Sequence, residues 1–281
     1  MKRFIVLAML LWGNWAMAQE VSLPDSVDQK RPLKLNHAEP LYIDLIRDLG
    51  AHKGEKEWNI GAGMIDNLGY DRYNFLVEYE WAPIDRLGLE VEVPVSVYTV
   101  NNKDRFPERN RPSDRIESLK LAAQYTFMVS DRYKTSMALG TITELELTDL
   151  NKIKRDDMFE GILFNPFLVA AKKWGSNFHS LVYTGPRMTR HFGHSGLRTG
   201  YELNTSAHYM IPGSRNFVGL EVNKEMRSGN VDMVFRPQMR LVVNEGLMVG
   251  IVTGIPVSKE NERLSSFMRL IYEPGHRKHH L

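Results

Sequence analysis

The chain has 281 residues, no cysteine, and 36 basic against 34 acidic side chains. Without cysteine there is neither a disulfide scaffold nor a cysteine nucleophile, and the balanced charge gives no electrostatic footprint for nucleic acid. No run of 18 apolar residues follows the first segment, which excludes membrane-spanning helices from the mature chain.

The first 18 residues have the composition of a signal peptide. Lys2 and Arg3 precede the apolar run 4–12, and Ala16-Met17-Ala18 is an A-x-A cleavage site. We therefore expect cleavage before Gln19 and export of the mature chain. Residues 19–55 are predicted to form a periplasmic segment ahead of the main domain.

Within that segment, residues 40–49 are predicted to form one short helix. Pro40 suits a first helical position, Gly50 suits a stop, and one apolar stripe contains Leu41, Leu45, Ile46 and Leu49. A helix of about ten residues is marginal alone in water, so we expect it to dock. It would lie on the periplasmic rim or inside a barrel as a plug, unless it is a simple N-terminal cap.

From Lys56 onward the sequence predicts strands and turns. Apolar residues alternate with polar ones from Leu87 to Thr99, and the same pattern runs from Tyr73 to Trp81. We predict twelve strands, with these approximate spans: 57–66, 71–81, 85–99, 114–128, 131–146, 159–173, 177–190, 195–211, 214–226, 230–243, 246–257 and 261–273.

The lengths and connections of these strands favour a membrane. Tight turns alternate with longer charged loops, and aromatic residues cluster near the short turns, as in outer-membrane barrels. The fold class is therefore all-β, a transmembrane antiparallel up-and-down barrel over 56–273. A soluble β-sandwich or lipocalin-like cup is the alternative. The run 159–173 does not alternate cleanly, so its two faces stay unassigned.

Two stretches carry a family resemblance. His37-Ala-Glu-Pro-Leu-Tyr-Ile-Asp-Leu-Ile-Arg-Asp-Leu-Gly50 and residues 77–90 resemble a family of Gram-negative outer-membrane β-barrels of the Bacteroidetes type. The resemblance implies the barrel fold and a location in the cell outer membrane. It implies no particular activity.

Charged residues on the inward faces are the main chemical signal. Buried charges need either water or partners, so these residues are predicted to line the lumen and contact solute: Glu78, Glu80, Glu90, Glu92, Glu144, Glu146, Arg198, Glu202, Arg236 and Arg240. An acidic wall facing a basic wall would make a channel for small polar or charged solutes. A non-conducting, salt-bridged structural barrel is the alternative.

An enzyme acting on outer-membrane lipid is the weaker alternative. His194 and Ser195 are adjacent in an outer loop, where a histidine could activate a serine, but no third group is evident to orient the histidine. The basic tail 274–281, with His276, His279 and His280, is expected to be a solvated terminus. We predict no catalytic residue, metal site or cofactor.

The expected partners follow from the fold. They are outer-membrane lipid, the barrel-assembly machinery and a small polar solute, without nucleic acid. The alternating final strand with Met268, Leu270 and Tyr272 is the element that barrel assembly generally recognises.

Overall fold

The computed structural model describes residues 31–43, 46, 48–101, 111–147, 149, 158–258 and 262–275. The predicted signal peptide and residues 276–281 of the basic tail lie outside the described residues.

Thirteen strand segments follow one another along the chain. They are β1 Lys56–Asn67, β2 Tyr70–Ile84, β3 Leu87–Val100, β4 Arg115–Ile116, β5 Ser118–Ser130, β6 Thr135–Leu147, β7 Phe159–Trp174, β8 Phe178–His191, β9 Arg198–Met210, β10 Phe217–Arg227, β11 Asn230–Asn244, β12 Leu247–Pro256 and β13 Glu262–Tyr272.

Neighbouring strands pair antiparallel, and the sheet closes because β1 pairs with both β2 and β13. The two residues of β4 pair with β3 just above β5, so β4 and β5 form one interrupted strand. The result is the predicted closed barrel of twelve strands, which the structure confirms. Among the described residues, no helix has the length and apolar character needed to cross a membrane.

The barrel has a short-turn end and a long-loop end. Connections at the short-turn end include 85–86, 175–177 and 245–246, and β1 begins there because Lys56 pairs with Trp81. The β2–β3 turn falls at Asp85-Arg86, slightly later than the sequence indicates, with Arg86 left-handed at φ +69°.

The polarity of the barrel is inverted relative to a soluble protein. Large apolar side chains such as Ile60, Phe75 and Leu139 are about half exposed on the outer face. Glu78 and Glu221, by contrast, are at most 1% exposed on the inner face. An apolar exterior around a polar interior suits strands that face lipid on one side and a lumen on the other.

Strand β7 shows why the run 159–173 resisted assignment. Its buried, inward residues are mostly apolar, and they include Leu163, Phe167, Val169 and Ala171. Its outward residues, such as Phe164, are apolar as well. Both faces are therefore apolar, which removes the alternation from the sequence.

Candidate functional site: the lumen and its plug

A segment of the N-terminal region lies inside the barrel. We define the plug as residues 32–51, of which the structure describes 32–43, 46 and 48–51. Both of its ends lie at the short-turn end, where His52 Nε2 is 2.9 Å from Pro32 O and Arg86 N donates to Ala51 O. The plug is therefore a loop that enters and leaves the lumen from one side.

The described residues of the predicted helix 40–49 form bends and irregular backbone instead of a helix, and residues 44, 45 and 47 lie outside the described residues. In a helix, Ile46 O would accept from Gly50 N. Here Ile46 O accepts from Gln124 Nε2 at 3.2 Å, and Gly50 N donates to Thr126 Oγ1 at 2.9 Å. Side chains of the barrel have replaced the partners that the helix would supply.

The same kind of contact holds the first half of the plug. Ala38 N donates to His179 Nδ1 at 2.7 Å, and Leu41 N donates to Gln238 Oε1 at 2.7 Å. Ile43 N donates to Glu221 Oε1 at 3.0 Å. These bonds satisfy backbone groups that would otherwise be buried without partners.

Two apolar clusters join the plug to the barrel. Ile46 and Leu49 pack in the first cluster with these inward residues: Ala122, Ala138, Phe167, Val169, Ala171, Leu181 and Tyr183. Ala38 and Leu41 pack in the second with Phe217, Met248, Val252 and Ile271. The apolar inward face of β7 is therefore covered by the plug.

Glycine at position 250 makes room for Leu41. A Cβ on Gly250 would lie 2.6 Å from Leu41 Cδ2, closer than van der Waals contact allows. A bare backbone on β12 thus forms the seat of this plug residue.

Ion pairs stabilise both ends of the plug. Lys34 forms ion pairs with Asp48 and Glu55 at the short-turn end. Burial opposes the charge on Lys34, but the two carboxylates outweigh it and raise the pKa of its ammonium. Burial likewise opposes the charge on Asp48, and Lys34 outweighs it and lowers the pKa of that carboxyl.

The inner part of the loop has charged contacts of another kind. Glu39 Oε2 lies 3.3 Å from Arg240 Nη1, and the Arg236 guanidinium lies 3.4 Å from the centre of the Tyr42 ring. Two arginines predicted to contact solute, Arg236 and Arg240, therefore hold the plug.

His37 is a buried titratable group of the plug. Its Nε2 lies 2.9 Å from Ser136 Oγ, and its ring meets His179 edge-on at 6.2 Å. Burial, reinforced by the positive potential of His179 and Lys173, lowers the pKa of His37 to about 4.

The predicted acidic residues of β2 and β3 do come together. Glu78 lies opposite Glu92, and Glu80 lies opposite Glu90. Lys120 on β5 lies 3.0 Å from Glu90 and 2.8 Å from Glu92. Oxygen atoms of Glu78, Glu90 and Glu92 lie within 4.8 Å of one another, a spacing that suits a cation, and the Lys120 ammonium already supplies a cation to two of them.

The expected acidic wall facing a basic wall is wrong. Arg269 on β13 reaches Glu78 at 3.3 Å, because closure of the barrel brings β13 close to β2. Glu221 lies opposite Arg236 on the side that the sequence assigned to basic residues. Acids and bases are interleaved, since buried charges need partners of opposite sign.

Two cavities occupy the lumen beside the inner tip of the plug, with volumes of about 440 and about 350 Å³. Tyr42, Ile43, Arg187 and Glu202 line both of them. Arg187 Nη1 donates to Glu202 Oε1 at 3.1 Å. This ion pair is the charged element that the two cavities share.

The remaining predicted residues differ in position. Glu144 lines the larger cavity, and Glu146 lies near the long-loop end, where its Oε2 is 3.3 Å from His191 Nδ1. Arg198 is exposed at the start of β9, at the rim of the long-loop end, and it has the same parity as the buried residues of that strand. His194 and Ser195 are exposed in the loop before β9, and in the described structure they share no hydrogen bond.

Sequence reasoning missed the residues that hold the plug. His179, Glu221 and Gln238 have the inward parity of their strands, which the alternation shows. Their partners are backbone N–H groups of residues 38, 41 and 43, and such groups leave no side-chain signal in a sequence.

Comparison with known proteins agrees with this geometry. The model of a protein family described as HAEPLYID-like matches residues 33–273. No curated protein matches the chain.

Channels and porins are among the solved structures with a similar fold. An outer membrane channel from Pseudomonas putida F1 shares 11% identity at a TM-score of 0.59, covering 80% of this chain and 98% of that chain. The NanC porin shares 7% identity at a TM-score of 0.52, covering 77% and 98%, and the KdgM porin shares 12% at 0.51, covering 76% and 98%. At these identities the likeness shows the fold, which is that of outer-membrane β-barrels.

Proposed function

Because the chain belongs to the HAEPLYID-like family and has the fold of outer-membrane channels, we propose that it is a channel for small polar or charged solutes whose lumen the plug closes. The short-turn end, where the plug enters, faces the periplasm, and the long loops face outward. The Bacteroidetes-type origin suggested by the sequence stays a prediction. We assign no catalytic role to the exposed His194 and Ser195.

One observation carries this proposal. The barrel wall is complete without the plug, because each of the twelve strands, with β4 and β5 counted as one, pairs with two neighbouring strands around the closed sheet. The plug is bound through side chains and seats, such as Gly250, and its described residues form no strand. A segment bound in this way can leave while the ladder of backbone hydrogen bonds stays intact.

The cavities and their charges support the solute class. Arg187 and Glu202 place both signs of charge in the space beside the plug, and Lys120 and Glu90 extend this along the larger cavity. Fixed charges of both signs in a narrow lumen favour polar or charged solutes over apolar ones. A non-conducting barrel is the second candidate, favoured by how fully the plug occupies the short-turn half.

A reversible lock of the plug separates the two candidates. Leu41 Cγ lies 3.2 Å from the position of a Cβ on Gly250, so cysteines at both sites lie within reach of a disulfide. The chain has no native cysteine, which leaves one pairing. We expect the Leu41→Cys/Gly250→Cys protein in a planar bilayer to be silent when oxidised and to show discrete conductance steps when reduced.

The control is the Leu41→Cys single variant, which cannot form the lock and should conduct equally with and without reductant. A folded barrel should migrate differently on a gel before and after boiling, which verifies folding of each variant. Silence of the reduced double variant and of the single variant, both with verified folds, would support the non-conducting barrel instead.

A further inference from the structure

We infer that the lumen is a binding site for oligopeptides and that the plug occupies it as a tethered ligand. This inference deepens the proposed function, on which it rests, because it names the substrate class of the channel. It is carried by the way in which the barrel contacts the plug.

The barrel binds the backbone of the plug as well as its side chains. His179, Gln238, Glu221 and Thr126 all accept hydrogen bonds from N–H groups of the plug, and Gln124 donates to one of its carbonyls. Backbone groups are common to all peptides. Acceptors and donors aimed at them recognise a peptide without demanding one sequence.

The wall around the plug is shaped for a chain. Several of the inward positions against it are small, as at Ala122, Ala138, Ser136 and Gly250, and with larger residues such as Phe167 and Phe217 they surround Leu41 and Ile46. A barrel that only needed filling could use larger inward side chains, as eight-stranded barrels do. Small residues beside buried polar acceptors form instead a groove for a polar backbone with apolar side chains.

Removal of the plug breaks hydrogen bonds of the barrel side chains and empties an apolar site. His179 and Gln238 lose the N–H donors of Ala38 and Leu41, and water reaches the seat of Leu41 among Phe217, Met248 and Val252. A peptide supplies both N–H donors and apolar side chains at a chain's spacing. A sugar supplies donors but no aliphatic side chain of the size of leucine for the apolar seat.

The test uses the full chain with a weakened plug. In Leu41→Asp, a carboxylate replaces the buried Leu41, so the tethered plug should be released. The probe is a fluorescent synthetic peptide with the sequence of residues 32–51, which keeps leucine at the seat. We expect saturable binding by fluorescence anisotropy to Leu41→Asp, at least about tenfold tighter than to the wild-type chain, whose own plug competes.

Backbone recognition is isolated by a double-mutant cycle. A second probe is methylated on the nitrogen that corresponds to Leu41 N, which removes the donor to Gln238. Methylation should weaken binding about tenfold in Leu41→Asp and have little further effect in Leu41→Asp/Gln238→Leu. An equal loss of affinity in both variants would overturn the inference, since nonspecific apolar contact with the lumen would then explain the binding.

Binding and conduction are measured separately, so their failures are distinguishable. Conductance from the reduced cysteine pair together with no peptide binding would overturn this inference and leave the proposed function standing. Peptide binding to a barrel that never conducts would overturn the channel. If Leu41→Asp fails the gel test for folding, Ile46→Asp in the first apolar cluster takes its place, and absence of binding to that folded variant counts equally against the inference.

Discussion

Acid should loosen the plug through His37. The docked side chain has a pKa of about 4, against 6.5 for a free histidine, because it is buried beside Ser136 and His179. A histidine whose pKa is lowered by docking contributes its full stabilisation above the free pKa. That stabilisation is lost progressively as the pH falls from about 6.5 to about 4.

The magnitude follows from these two values. One pKa unit corresponds to about 1.4 kcal/mol, so the full effect is about 3 kcal/mol. Between about pH 7.5 and about pH 5 the docked state loses about 2 kcal/mol, which raises the undocked fraction about 30-fold. Lys173 opposes the charge on His37 and Asp48 favours it, and both effects are included in the lowered pKa.

The assay follows a thiol on the plug. Leu41 is 2% exposed, so Leu41→Cys should react with a membrane-impermeant thiol reagent only when the plug undocks. The control protein carries both Leu41→Cys and His37→Gln. The glutamine keeps a hydrogen-bonding group near Ser136 and has no charge at any pH. Acid slows the thiol chemistry equally in both proteins, so the ratio of their labelling rates reports His37 alone. The reasoning is refuted if that ratio stays constant from about pH 7.5 to about pH 5.

Three further substitutions test separate contacts. Gly250→Val should displace the plug and raise the frequency of conductance steps, because even a Cβ would lie 2.6 Å from a Leu41 atom. Lys120→Met should lower the free energy of unfolding by about 3–5 kcal/mol, because it leaves the Glu90 and Glu92 carboxylates buried without their shared cation. The loss should appear as a lower temperature for the gel-mobility shift. Arg187→Gln should shift the reversal potential toward cation preference, because its partner Glu202 then stands uncompensated beside both cavities.

Each of these variants is paired with a control substitution at a nearby position, which should have little effect in the same assay. Ile251→Val and Leu121→Met alter the outer face beside the first two sites. Arg198→Gln removes an arginine exposed at the rim. Equal effects from a variant and its control would show that the contact argued for is irrelevant.

The alternation in the sequence sufficed to predict the barrel because lipid and lumen impose opposite demands on successive residues. It failed at β7, where Phe167 and Val169 face the plug instead of water and both faces are apolar. The pattern thus fails at the point where a second segment covers the wall.

The predicted helix failed for a related reason. Leu41, Ile46 and Leu49 do share burial, as their spacing indicates, but they are buried in two separate clusters. Local propensity cannot show that Gln124 and Thr126 take the places of helical hydrogen-bond partners. The contacts join residues more than 70 positions apart in the chain.

The charge pairing needed the closed topology. Parity placed Glu78, Glu90 and Arg240 on the inner face, as observed. Which charges meet depends on the closure of the sheet, which puts Arg269 of β13 against Glu78 of β2. The sequence therefore predicts the composition of the lumen better than its electrostatic layout.

The structure divides its stabilising contacts between two tasks. The barrel is held by the ladder and by pairs such as Lys120 with Glu90 and Glu92, none of which involves the plug. The plug is held by His179, Gln238, Glu221 and the seat at Gly250, none of which closes the sheet. Because the ladder is independent of the plug, we expect the plug to undock at a free energy below that of unfolding. On the proposed function, the lumen would then open and close while the wall that spans the membrane stays folded.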